Sequence, residues 1–183
     1  MILLVASSLI GVAAPFAGSS IAVEDLPRIF MEACLEGETR LSPGQVTPVA
    51  FQDLPKSLRD RLGRANQGKV WRLNASGRAY LYMLSEQASG ARVCGLASDR
   101  MPLNPARAAL EKRVDTEVTP DQLRTTEWWR PEDGYVAIAT TAAKFNVLQI
   151  KWLSERERRL VLEELRYTGA GAQRRKPGNR PNK

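Results

Sequence analysis

Apolar positions recur along this chain at two spacings, one near 3.6 residues and one near 2, and the change between them separates helices from strands. Over Val23–Glu36, the residues Leu26, Ile29, Phe30, Ala33 and Cys34 fall on one face of a predicted helix. Asp25 can cap its start, Pro27 is tolerated in the first turn, and Gly37 can end it. Residues 38–52 hold Pro43, Gly44 and Pro48 and read as an irregular connector. Asp53 then caps a short helix in which Leu54, Leu58 and Leu62 lie one turn apart, closed by Gly63.

From Lys69 the spacing becomes that of strands. Lys69–Leu73, Arg78–Ser85 and Ala91–Ser98 are separated by turns ending at Gly77 and Gly90. Connections this short make an antiparallel meander, because parallel neighbours need long crossovers. Asn104 and Pro105 open a third helix that runs to Val114. A second set of strands follows at Thr125–Arg130, Tyr135–Thr141 and Lys144–Trp152, with the turn Pro131–Gly134 between the first two. Ser154 and Glu157 form a capping box for a last helix, whose apolar face holds Leu160, Val161 and Leu165. The predicted fold is α+β: an antiparallel sheet of about six strands in two three-strand meanders, packed by about four helices, with one disulfide. Trp71-Arg72 before a turn ending in Gly77 is matched by Trp129-Arg130 before a turn ending in Gly134. An internal duplication would set the meanders edge to edge, although hairpin chemistry arrived at independently explains three identities more simply.

The N-terminus changes the picture from fold to address. Residues 1–14 are apolar, Pro15 breaks them, and Ser20-Ile21-Ala22 offers a small-x-small cleavage site. The chain is therefore expected to comprise a secretory signal at 1–22, one domain at 23–168 and a disordered basic tail at 169–183. The signal departs from the usual pattern in lacking an early Lys or Arg. Its apolar run is shorter than the roughly 20 residues a membrane span needs, and no later segment is long and apolar enough to be one.

Charge sharpens the division. The chain has 27 basic and 20 acidic residues, a net charge of +7. Arg174, Arg175, Lys176, Arg180 and Lys183 all lie in the last ten residues, so the domain itself is nearly neutral. Outside the cytosol, Cys34 and Cys94 are expected to form one disulfide, since thiols oxidise there and the pairing is unambiguous.

The candidate chemistry is narrow. The chain has no histidine, which removes Ser–His–Asp and Cys–His nucleophiles and His-based zinc sites, so neither metal nor cofactor is expected. Gly63-Arg-Ala-Asn-Gln-Gly68-Lys69 has phosphate-loop spacing, but Val70 stands where magnesium needs Ser or Thr. The predicted order there is helix, loop, strand, the reverse of what such a loop requires, so no nucleotide is expected. Trp128, Trp129, Arg130, Glu132 and Asp133 form the best candidate binding stretch. On a strand the two indoles face opposite sides, leaving one to stack on a sugar ring or a peptide aromatic beside a guanidinium. Glu132 and Asp133 are also the only carboxylate pair in a candidate loop away from the N-terminus. The tail suits an anionic envelope component, and nucleic acid is disfavoured by the compartment.

Together these features favour a periplasmic or secreted non-catalytic module that binds a protein or an envelope polymer. The competing readings are a histidine-free, carboxylate-dependent hydrolase or transferase, and a cytosolic adaptor or chaperone if residues 1–22 are no signal.

Overall fold

Strands form where β-branched and aromatic residues alternate between two faces, and here both faces are buried, so the central strands read as nearly unbroken apolar runs. The computed structural model describes residues 20–38, 40–114 and 125–163. Its helices are α1 (Leu26–Cys34), α2 (Lys56–Leu62) and α3 (Leu103–Val114), and a further helical segment covers 155–163. Its strands are β1 (Val46–Val49), β2 (Gln67–Leu73), β3 (Ala79–Ser85), β4 (Arg92–Ser98), β5 (Thr126–Arg130), β6 (Tyr135–Ala142) and β7 (Phe145–Trp152).

All pairings are antiparallel, in the order β1-β2-β3-β4-β7-β6-β5. Two meanders thus meet edge to edge along a β4–β7 seam, and the fold is α+β. The sheet has seven strands rather than six. The added strand, β1, lies inside the stretch expected to be an irregular connector. It has no buried residue and contains Pro48, so its own pattern carries no strand signal, and pairing with β2 creates it.

One sheet face packs against α1 and α3, the other against α2. On the first, Leu81, Cys94, Leu96, Trp128, Leu148 and Ile150 meet Leu26, Phe30, Leu110 and Met101. On the second, Val70, Tyr80, Tyr82, Val93 and Val147 meet Leu54, Leu58 and Leu62. The predicted α1 stripe is buried in full, and each large apolar side chain placed there contributes about 1.5–3 kcal/mol. Asp25 does not cap α1; its carboxylate accepts from Arg28 instead. Asp53 accepts from the Ala50 N–H within a 3-10 turn, and α2 starts later, at Lys56.

Cys34 and Cys94 are joined, with Cα atoms 5.4 Å apart and 60 residues of separation, tying α1 to the central strand β4. Ile21 also belongs to the fold. It is buried in the α1/α3 core, its N–H donates to the Asn74 carbonyl at 2.7 Å, and it bridges to Ala75. The folded unit therefore includes residues ahead of Val23. Residues 1–19, with the apolar run of the expected signal, lie outside the described residues.

The likeness of the meanders is geometric, but the Trp-Arg pairs do not align with it. Trp71 and Trp128 both pack toward α1 and α3, whereas Trp129 points to the other face. A superposition that preserves faces matches Trp71 to Trp128, one residue away from the dipeptide match, and a one-residue slip inverts every side chain.

Among the described residues, no helix is long and apolar enough to cross a membrane.

Candidate functional site

Among the described residues, β5 is the last strand of the sheet, and alternation along it sorts the predicted binding residues. Trp128 is buried against the α1/α3 core, and its indole N–H has no hydrogen-bond partner among the described residues. Trp129 turns to the opposite face and is 41% exposed. Its Nε1 donates to Glu127 Oε2 at 3.2 Å, which fixes one edge of the ring and leaves the rest accessible.

Arg130 does not stand beside that indole. Its Nη1 donates to the Val114 carbonyl at 2.8 Å and its Nε to Asp133 Oδ2 at 2.9 Å. Val114 is the last described residue of α3, and the C-terminal turn of a helix favours a cation. The Asp133 carboxylate in turn raises the guanidinium pKa above its ordinary value. Arg130 thus fastens the β5–β6 turn to α3. Glu132 and Asp133 both lie exposed in that turn. The carbonyls of Pro131 and Glu132 accept from Arg158 at 2.6 and 2.8 Å, so the helical segment 155–163 is clamped to the same corner. The predicted capping box of this segment is present: Ser154 N–H donates to Glu157 at 2.9 Å, and the Glu157 N–H to Ser154 Oγ at 3.3 Å. The basic residues Arg174, Arg175, Lys176, Arg180 and Lys183 lie outside the described residues.

Among the described residues, two cavities lie against β4. An apolar cleft of about 270 Å³ opens beside the disulfide, lined by Ala33, Met83, Cys94 and Trp152, with the Arg92 guanidinium 5.2 Å from the centre of a Trp152 ring. A more polar pocket of about 340 Å³ lies at the end of α2, where Arg61, Arg64 and Lys151 surround the floor residues Val93 and Gln149. Sequence reasoning missed both. Arg61 lies in the last turn of α2 and Arg64 just beyond it, but Gln149 and Lys151 join them only because β7 pairs with β4.

Gln149 is held by an unusual reach. Tyr82, Gly95 and Gln149 stand in one cross-strand row. Gly95 has no side chain, so the Tyr82 ring lies across β4 and its hydroxyl donates to Gln149 Oε1 at 3.2 Å. Burial raises the Tyr82 pKa well above the ordinary tyrosine value, with Arg61 opposing it, so the phenol stays protonated and keeps donating.

The phosphate-loop spacing has the local structure its residue order implies. Gly63 caps α2 with φ 57°, and its N–H donates to Arg59 O. Gly68 is the second residue of β2, with φ 139°, and a Cβ there would lie 2.2 Å from the Met83 carbonyl oxygen. Both glycines serve the backbone. Among the described residues, no cluster of acidic or cysteine side chains could hold a metal ion. Comparison of the chain with protein-family models, with curated proteins and with solved structures gives no match.

Proposed function

We propose that this chain is an exported, non-catalytic module that docks a protein or an envelope polymer along the β5 edge. The observation that carries the reading is Trp129, a large indole left 41% exposed on the outermost strand. An edge strand offers unpaired N–H and C=O groups, and an adjacent indole adds apolar contact area that tolerates a polar rim. Strand addition by an extended peptide and stacking by a sugar ring both use such an edge. The Cys34–Cys94 bond supports an oxidising compartment. The basic tail adds attraction to an anionic envelope surface, at about 1 kcal/mol for each basic residue near it.

The test is cell fractionation followed by cosedimentation of the purified protein with isolated envelope. Trp129→Ala should weaken cosedimentation about tenfold, equivalent to about 1.4 kcal/mol. Deleting residues 172–183 should make the remaining binding less sensitive to salt. Recovery of the native protein in the cytosol with both thiols reduced would refute the reading. So would a Trp129→Ala protein that is folded and binds like the wild type.

A further inference from the structure

We propose that the pocket at the end of α2 binds a small soluble molecule through a phosphate monoester group. Three cationic residues, Arg61, Arg64 and Lys151, line it, and only Glu86 among its lining residues is acidic. The Arg61 side chain makes no hydrogen bond or ion pair with any described residue, so its guanidinium fork is available. The nearest carboxylate to Arg64 is Glu86, at 3.9 Å, and the Arg64 side chain is 87% exposed. That contact is too long for the paired hydrogen bonds a guanidinium makes with an oxyanion. Lys151 is held at the rim by Glu157, with Nζ 2.8 Å from Oε1, which positions its charge while partly balancing it.

The floor adds a neutral donor. Gln149 is 8% exposed, and its Oε1 is taken by the Tyr82 hydroxyl. The amide is therefore oriented with Nε2 as its remaining polar group, and no described residue accepts from it. Buried Val93 and Ala65 keep the floor apolar, which strengthens charge–charge attraction above it. Two guanidinium forks, an ammonium and an amide N–H together suit a doubly charged tetrahedral oxyanion. A volume of about 340 Å³ leaves room for a small organic group attached to it. The recognition is by side chains, unlike a glycine loop whose backbone cradles phosphate.

The site does not depend on the docking role of β5, so Trp129→Ala should leave it unchanged. The experiment is an amide NMR titration of the full-length protein at low salt with glycerol 3-phosphate, inorganic phosphate, glycerol and phosphatidic acid vesicles. Glycerol 3-phosphate should give saturable shifts at Ala65, Ala91, Val93 and the Gln149 side-chain amide, and glycerol none. Arg61→Gln should raise Kd about tenfold, and Arg61→Gln with Arg64→Gln should abolish saturation. Arg64→Gln alone, at an exposed position, should raise Kd as well and serves if the Arg61 variant does not fold. Absence of saturable shifts with either phosphate, or an unchanged Kd in folded variants, would overturn the proposal. Binding to the vesicles without binding to glycerol 3-phosphate would overturn it too, by assigning the pocket to a lipid headgroup.

Discussion

Replacing Gly95 with alanine tests the packing that joins the α2 core to the pocket floor. Gly95 sits directly opposite Tyr82 in the β3–β4 pair, and a Cβ there would lie 2.3 Å from the Tyr82 hydroxyl oxygen and 2.4 Å from Cζ. Tyr82 is 1% exposed and cannot swing into solvent without emptying the core beneath α2. Gly95 is not among the glycines with positive φ, so alanine in a relaxed site would stabilise by about 0.4–1 kcal/mol. Against that stand an overpacking cost of about 1–3 kcal/mol and the loss of the Tyr82–Gln149 hydrogen bond, about 1 kcal/mol. The net expectation is a destabilisation of about 1–3 kcal/mol, a shift of roughly 1 M in the urea midpoint at unchanged slope. The same substitution in a Tyr82→Leu background should be neutral or stabilising, because the clashing ring is gone. Equal losses in the two backgrounds, or a more stable Gly95→Ala protein, would refute the account.

Two further outcomes follow from the same geometry. Replacing Cys34 and Cys94 together by alanine should lower stability by about 4 kcal/mol on the chain-entropy argument for a loop of this length, read from urea midpoints; an unchanged midpoint would show that the bond does not restrict the unfolded chain. The Lys151 ammonium, followed by the Ser154 backbone N–H, holds the Glu157 carboxyl down at about 2. Its ionised form thus stabilises the fold above the ordinary glutamate range, and that contribution is lost as pH falls through about 2. The stability gap between wild type and Glu157→Gln should therefore narrow on acidification, and a constant gap would refute this assignment.

What could be read from the sequence was local. The α1 stripe, the turns at Gly77, Gly90 and Gly134, each with positive φ, and the opposite facing of Trp128 and Trp129 all follow from periodicity and turn chemistry. What escaped was tertiary. β1 is a strand only because β2 offers it an edge, and no alternation in Val46–Val49 announces that. Arg130 looked like a ligand-stacking neighbour of Trp129, but side-chain alternation sends it to the end of α3, which composition could not show. The pocket at α2 needs the β4–β7 seam, because Arg61 and Lys151 are far apart in sequence and meet only across it.

The disulfide divides this near-symmetric sheet unevenly. Cys34 and Cys94 belong to α1 and β4, so the bond locks only the first meander and its helix. β5 and β6 hang on the seam through β7, with α3 packed against them but no covalent tie. Within the second meander, partial opening should therefore start at β5, and backbone amides there should exchange with solvent well before those of β3 and β4. The strand that carries Trp129 thus lies in the meander that the disulfide leaves untied, and a partner docking on it would quench opening there as it binds.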